Sequence, residues 1–127
     1  MKKLTLLFCL FIVFFSSCSK EQGQLLIRVV NQTDKTLTDV SVFSLKSDGI
    51  TDVEKKYGSV SPGSATDYRS HQLAISFPLC KFTIEGYGTT ELREARCGAG
   101  MVELSSGKYT ILVQGEANAP LISLRED

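Results

Sequence analysis

The stretch Leu73–Gly88, LAISFPLCKFTIEGYG, decides the fold of this chain because it predicts one long strand followed by a tight turn. Aliphatic, β-branched and aromatic residues favour an extended conformation, and Gly86-Tyr87-Gly88 is typical of a hairpin turn. The face that carries the apolar residues changes near Pro78, and proline cannot donate a hydrogen bond to a sheet. We therefore expect a β-bulge or an edge position at Pro78.

Segments on both sides of this stretch predict further short strands. The clearest are QLLIRVV at 24–30, DVSVFSL at 39–45 and KYTILVQ at 108–114. Turn signals such as Ser61-Pro62-Gly63 and Ser105-Ser106-Gly107 separate the strands. No window holds a helical period for ten residues. The pattern predicts an all-β chain folded as an antiparallel β-sandwich, immunoglobulin-like or transthyretin-like, with about seven to eight short strands.

The N-terminal segment predicts a secretory signal rather than part of the sandwich. Two lysines precede the apolar run Leu4–Phe15, whose twelve residues include one polar residue. A membrane-spanning helix needs about 20 apolar residues, whereas a short apolar run with a basic start is typical of a signal peptide. The ending Phe15-Ser16-Ser17-Cys18 resembles a lipobox, with phenylalanine where leucine is usual. We expect a lipoprotein signal peptide at residues 1–17.

The expected lipid attachment site is Cys18, whose thiol would carry diacylglycerol. Two or more acyl chains, such as palmitate, give a stable membrane anchor where one would be marginal. Residues 18–23 would then form a lipidated tether, and residues 24–127 would form the β-sandwich domain. The remaining chain keeps 12 basic and 14 acidic residues, a side-chain charge of −2. With no basic patch, we expect no nucleic-acid partner, and no motif indicates a cofactor.

The cysteines predict a candidate disulfide. Cys9 lies in the signal segment and Cys18 is the lipid site, which leaves Cys80 and Cys97. An even pair in an oxidising compartment is a candidate for a bridge. The alternative is two separate buried thiols that act as small apolar residues.

A thiol enzyme is the main catalytic alternative. His71, the only histidine, would act as general base beside Cys80 or Cys97, with Asp67 to orient it. The other interpretation is an exposed histidine in a loop between strands. A structural zinc site would need a fourth ligand beyond His71 and the two cysteines.

Two weaker patterns concern carboxylates and aromatic residues. Glu91, Glu94 and Glu103 would be the acids of a glycoside hydrolase, although strand glutamates usually face solvent. Aromatic residues of a sandwich are mostly core, and Tyr87, placed in a turn, is the best candidate for an exposed ring.

A set of strand and turn segments gives the chain a family resemblance. The segments are Tyr57–Val60, Gly63–Tyr68, Ala74–Gly86 and Ser106–Thr110, in that order. With them, most of residues 25–127 resembles a group of small Bacteroidetes-type lipoproteins that have a β-sandwich domain. The resemblance implies a fold and a cell-envelope location, and it implies no activity.

These patterns together predict a non-enzymatic, lipid-anchored protein of the outer membrane that acts as a binding or structural accessory. Its expected partners are the membrane, through Cys18, and an envelope protein or glycan. The alternatives are the small hydrolase or thiol enzyme that uses His71 and a cysteine, and an inhibitor or immunity-type protein that uses the loop Lys46–Asp52. The membrane face that carries the protein stays open.

Overall fold

A computed structural model of the chain describes residues 23–45, 54–71, 74–92, 103–104 and 106–127. Within these ranges the chain forms strands and turns and no helix, as predicted. The strands are β1 Leu25–Asn31, β2 Leu37–Leu45, β3 Lys55–Val60, β4 Arg69–His71, β5 Ala74–Ile84, β6 Gly88–Leu92, β7 Glu103–Leu104, β8 Gly107–Glu116 and β9 Ala119–Glu126. The sequence pattern predicts a short strand at Ala65–Arg69, which the structure has instead at Arg69–His71, and it predicts no strand at β7.

The strands form two sheets, which confirms the predicted β-sandwich. The first sheet has the order β4-β1-β8-β9, and the second has β3-β2-β5-β6, with β7 also paired to β5. All strand pairs are antiparallel except β1 with β8, which run parallel from Leu25↔Gly107 to Asn31↔Val113. In immunoglobulin constant-type domains the first two strands share a sheet. Here β1 and β2 lie in different sheets, so the strand order departs from the immunoglobulin-like alternative.

The core lies between the two sheets and is built from alternate residues of the longer strands. Strand β1 shows this period directly, because its residues alternate between buried and half-buried along its whole length. The largest fully buried apolar side chains are Phe82, Leu25, Ile27, Leu37, Ile84, Ile111, Val29, Val40, Val42 and Val113. They come from β1, β2, β5 and β8, the inner strands of both sheets.

A register shift lies beside Pro78, where the sequence predicts a bulge. From Phe43↔Leu79 to Leu45↔Ile75, β2 advances two residues while β5 advances four. Phe82 belongs to the core cluster, whereas Leu79 is buried outside it. The two extra residues of β5 confirm an irregularity beside Pro78, where the sequence predicts a bulge or an edge position. Strand β5 lies between β2 and β6, so the edge position is not the one adopted.

Candidate functional site

The predicted cysteine sites are only partly described. Cys18 and Cys97 lie outside the described residues, and Cys80 has no disulfide partner among them. Cys80 is fully buried on β5, and its burial raises the pKa of the thiol to about 12. Because a thiolate is the nucleophilic form of cysteine, the burial and the raised pKa of Cys80 disfavour a nucleophilic role for it. The bridge between Cys80 and Cys97 stays a prediction.

His71 is a buried residue of β4, so the interpretation of an exposed loop histidine is wrong. Its Nε2 atom lies 2.8 Å from the hydroxyl oxygen of Tyr57, and the two rings stack with centroids 6.2 Å apart. Tyr57 donates its only hydroxyl proton to the carbonyl of Ile27 at 2.7 Å. Nε2 of His71 must therefore donate to the Tyr57 oxygen. Burial raises the pKa of Tyr57, which keeps this hydroxyl protonated.

The Tyr57–His71 pair joins β3 of one sheet to β1 and β4 of the other. Strands β3 and β4 are the outer strands of their sheets. The buried, hydrogen-bonded pair therefore closes the edge of the sandwich between these two strands. The histidine is thus used as a donor in a structural contact, and the predicted orienting residue Asp67 is exposed near the start of β4. Among the described residues, no reactive thiol accompanies His71.

The other predicted polar sites are dispersed. Glu91 is exposed on β6 opposite Lys81, Glu103 lies on β7, and Glu94 lies outside the described residues. Within the described ranges, no three residues of the metal-binding types come together. The structure therefore brings no predicted catalytic or metal set together in the part that it describes.

Three turns at one end of the sandwich enclose a groove of about 460 Å³, which we call the distal groove. Its polar and aromatic lining consists of Gln32, Asp34, Lys35, Tyr87, Glu116 and Asn118. These residues come from the β1–β2 loop, the β5–β6 turn and the β8–β9 turn. The volume lies within the range of small-molecule sites, about 300–1,000 Å³.

A buried asparagine builds the β1–β2 loop that forms one wall of the distal groove. Asn31 is completely buried, and its Nδ2 donates to the carbonyls of Lys35 at 2.8 Å and Val60 at 2.9 Å. Its Oδ1 accepts from the backbone N–H of Thr33 at 2.9 Å and from the Thr33 hydroxyl at 2.7 Å. The Asn31 side chain thus supplies hydrogen bonds to loop backbone groups that have no partner strand. These bonds fix the conformation of the loop that carries Asp34 and Lys35.

The opposite wall comes from the β8–β9 and β5–β6 turns. Gly115 has a φ of +92°, and Ala117 is buried, which pins the turn between Glu116 and Ala119 against the core. In the β5–β6 turn, the N–H of Tyr87 donates to the carbonyl of Ile84 at 3.0 Å. The Tyr87 ring is 54% exposed, which confirms the sequence-based expectation for this residue.

The distal groove lies at the far end of β1 from the predicted tether. Strand β1 begins at Leu25, two residues after Gly23, and ends at Asn31 beside the groove. Strand β8 runs parallel to it and ends at Glu116, also beside the groove. A seven-residue strand spans about 20 Å. The groove therefore opens roughly this distance from the end at which residues 18–23 would enter.

The groove combines an exposed aromatic face with carboxylates, amides and one ammonium group. An exposed ring gives a flat apolar platform, and the polar groups around it donate and accept hydrogen bonds. Sequence reasoning found Tyr87 from its turn position but missed Asp34, Glu116 and Asn118. These residues are remote in sequence, and only the packing of three turns brings them together.

Comparison with known proteins adds no relative to this description. No protein-family model matches the chain, and no curated protein matches it. The described residues contain no apolar helix of membrane-spanning length.

Proposed function

We propose that this chain is a lipid-anchored protein of the bacterial outer membrane, attached through Cys18, whose β-sandwich is a non-enzymatic binding module for an envelope glycan. The observation that carries the proposal is the position of the distal groove, at the opposite end of the sandwich from the tether. An anchored domain of this shape holds its groove away from the membrane surface. Loops on a rigid scaffold are where binding residues concentrate.

A glycan suits the groove because sugars offer both apolar ring faces and many hydroxyl groups. Tyr87 supplies an exposed ring, and Asp34, Glu116 and Asn118 supply hydrogen-bond acceptors and donors. The groove is polar and shallow, which favours a hydroxyl-rich ligand over an apolar one. The resemblance to Bacteroidetes-type lipoproteins supports the same location in the envelope.

The thiol-enzyme alternative has less support. Cys80 is buried with a raised pKa, and His71 donates to Tyr57. An enzyme of this class would have to use Cys97, which lies outside the described residues.

The test is calorimetric titration of the purified protein with soluble oligosaccharides prepared from bacterial envelope glycans. We expect Tyr87→Ala to weaken binding about tenfold, which corresponds to roughly 1.4 kcal/mol, the scale of one aromatic contact. Leu121→Ala is the matched control, because Leu121 is 63% exposed and lies on β9, outside the groove. Equal losses in both variants, or no binding by the parent protein, would contradict the proposal.

A further inference from the structure

A second pocket lies on the outer face of the second sheet, away from the distal groove. We call it the bulge pocket, and it encloses about 300 Å³. Its lining includes Asp39, Ser41, Glu54, Lys56, Gly58 and Lys81, which come from β2, β3, β5 and the residue that precedes β3. This volume is at the small end of ligand sites, so the pocket fits a small ligand.

Two adjacent bulges create the pocket. From Thr38↔Thr83 to Ser41↔Lys81, β2 advances three residues while β5 advances two, and Asp39 in this bulge has a φ of +50°. Against β3 the same extra residue of β2 lies between Leu37↔Val60 and Val40↔Gly58. A shift of the opposite sense follows, because from Val40↔Gly58 to Ser41↔Lys56 β2 advances one residue and β3 advances two. Bulges bend strands and redirect side chains, and they are frequent beside functional sites.

A buried serine hydroxyl lines the bulge pocket. Ser41 is only 3% exposed and lies between two core valines, so its side chain belongs to the outer face of the sheet. Its Oγ has no hydrogen-bond partner in the described part of the chain. A buried hydroxyl without a partner is unfavourable, and such a group in a folded protein needs an explanation. A ligand atom that accepts a hydrogen bond from Oγ provides one.

The charges around Ser41 indicate the chemistry of that ligand. Lys56 on β3 and Lys81 on β5 stand directly opposite Ser41 on either side, and directly opposed residues share a face. Asp39 and Glu54 also line the pocket, Asp39 two residues before Ser41 on β2 and Glu54 two residues before Lys56, which places them on opposite sides of the Ser41 row. Among the described residues, none of these four charged groups is in an ion pair with another residue. The pocket thus has a cationic centre beside Ser41 and two carboxylates at its margin.

We propose that the bulge pocket binds a small zwitterion. The anionic group of the ligand, a phosphate or a carboxylate, accepts a hydrogen bond from Ser41 Oγ between the ammonium groups of Lys56 and Lys81. The amino group of the ligand meets the carboxylate of Asp39 or that of Glu54, which flank the Ser41 row on opposite sides. This site is separate from the distal groove and does not depend on the glycan proposal.

The binding test follows amide chemical shifts of the full protein during titration with three probes: O-phosphoethanolamine, β-alanine and inorganic phosphate. We expect saturable shifts around residues 39–41, 56–58 and 81 for at least one zwitterion, and weaker binding of inorganic phosphate. Lys56→Gln and Lys81→Gln should each raise Kd about fivefold, the scale of one solvent-accessible ion pair. Lys55→Gln, on the same strand but opposite Val42, is the matched control.

Tyr87→Ala separates this site from the distal groove, because it should leave zwitterion binding unchanged. No saturable shifts with either zwitterion, or equal affinity for inorganic phosphate, would overturn the proposal. Shifts confined to the groove around Tyr87 would overturn it as well.

Thermal unfolding gives a second readout that does not rely on weak binding. Ser41→Ala removes a buried hydroxyl that has no partner among the described residues, so the ligand-free variant should unfold at the same or a higher temperature. The zwitterion should raise the unfolding temperature of the parent protein and not that of Ser41→Ala. A lower unfolding temperature of the ligand-free variant would show that the hydroxyl has a purely structural role, and the proposal would fail.

Discussion

At the residue scale, single polar side chains complete backbone hydrogen bonding where the strands end. In the β1–β2 loop Asn31 donates to two backbone carbonyls and accepts from one backbone N–H. At the edge of the sandwich Tyr57 donates to the carbonyl of Ile27. Neither role follows from the local pattern. The turn cluster around Asn31 predicts a turn, but complete burial of Asn31 depends on Val60, which is 29 residues away.

Replacement of Asn31 should destabilise the fold strongly. Asn31→Ala leaves the buried carbonyls of Lys35 and Val60 without their donor, so we expect a loss of about 2–4 kcal/mol in the free energy of unfolding. Urea denaturation measures the loss. Asn118→Ala, at an exposed turn position of the distal groove, is the control and should change stability by less than about 0.5 kcal/mol. Similar stability of both variants would contradict the assigned role of Asn31.

A second residue-scale prediction concerns acid stability. The carboxylate of Asp127 accepts hydrogen bonds from the hydroxyls of Thr110 and Tyr68, and Arg125 and Arg28 lie 3.1 and 3.6 Å away. These contacts, the hydroxyl bonds first, lower the pKa of Asp127 to about 2. Because the folded pKa lies below the unfolded one, this stability is present above about pH 4 and is lost as the pH falls towards 2.

The measurement is the urea midpoint of unfolding as a function of pH. Between about pH 4 and 2 the free energy of unfolding of Asp127→Asn should fall by roughly 1 kcal/mol less than that of the parent protein. This figure is smaller than the full pKa shift implies, because solvent screens a surface carboxylate. Glu126→Gln, at the neighbouring exposed position, is the control. If the urea midpoint of Asp127→Asn falls between about pH 4 and 2 as much as that of the parent protein, the contacts of the Asp127 carboxylate do not stabilise the folded state.

At the element scale, apolar and turn residues predicted most of the strands, and the irregularities of strand pairing decided where the bulge pocket forms. The parity change near Pro78 was visible in the sequence because proline and a shift in apolar spacing coincide there. The double bulge at Asp39 and Gly58 was not predicted, since bulges arise when two strands with different local twist must stay paired. The sequence pattern predicts a strand at Val53–Val60 and indicates only that Gly58 is a weak point of it.

Gly58 provides the test at this scale. Its φ is +79°, a backbone conformation that is strained for residues with a Cβ atom. A Cβ at this position would meet no atom within 4 Å, so there is no steric clash in addition to the strain. Gly58→Ala should therefore lower the free energy of unfolding by about 1–2 kcal/mol through backbone strain alone. Ser59→Ala, at the next exposed position, should be nearly neutral. A neutral Gly58→Ala would mean that the bulge relaxes without cost.

At the scale of the whole molecule, the anchor proposal predicts where the protein is found and what its mass is. Wild-type protein extracted from membranes should have the mass of residues 18–127 plus acyl chains. Cys18→Ala should leave the membrane fraction, because two or more buried acyl chains are what makes attachment stable. An unlipidated full-length mass in the wild type would contradict the anchor. Ser17→Ala, which keeps a small residue before the cysteine, is the control.

The same mass measurement, with alkylation before and after reduction, decides the state of the remaining cysteines. The buried Cys80 should resist alkylation in the folded protein whether or not it is bridged. In denaturant, alkylation that needs reductant would show the bridge between Cys80 and Cys97, and alkylation without reductant would show two separate thiols.

The sequence by itself determined the all-β class, the sandwich, the hairpin at Gly86–Gly88 and the bulge at Pro78. These features depend on neighbouring residues, whose alternation and turn chemistry act locally. The tertiary structure decided the parallel pairing of β1 with β8, which joins Arg28 to Thr110 across 82 residues. It also decided the burial of His71 and the assembly of both pockets. Such features depend on which strand faces pack together. The packing is set by burial of apolar area over the whole chain, so no local segment determines it.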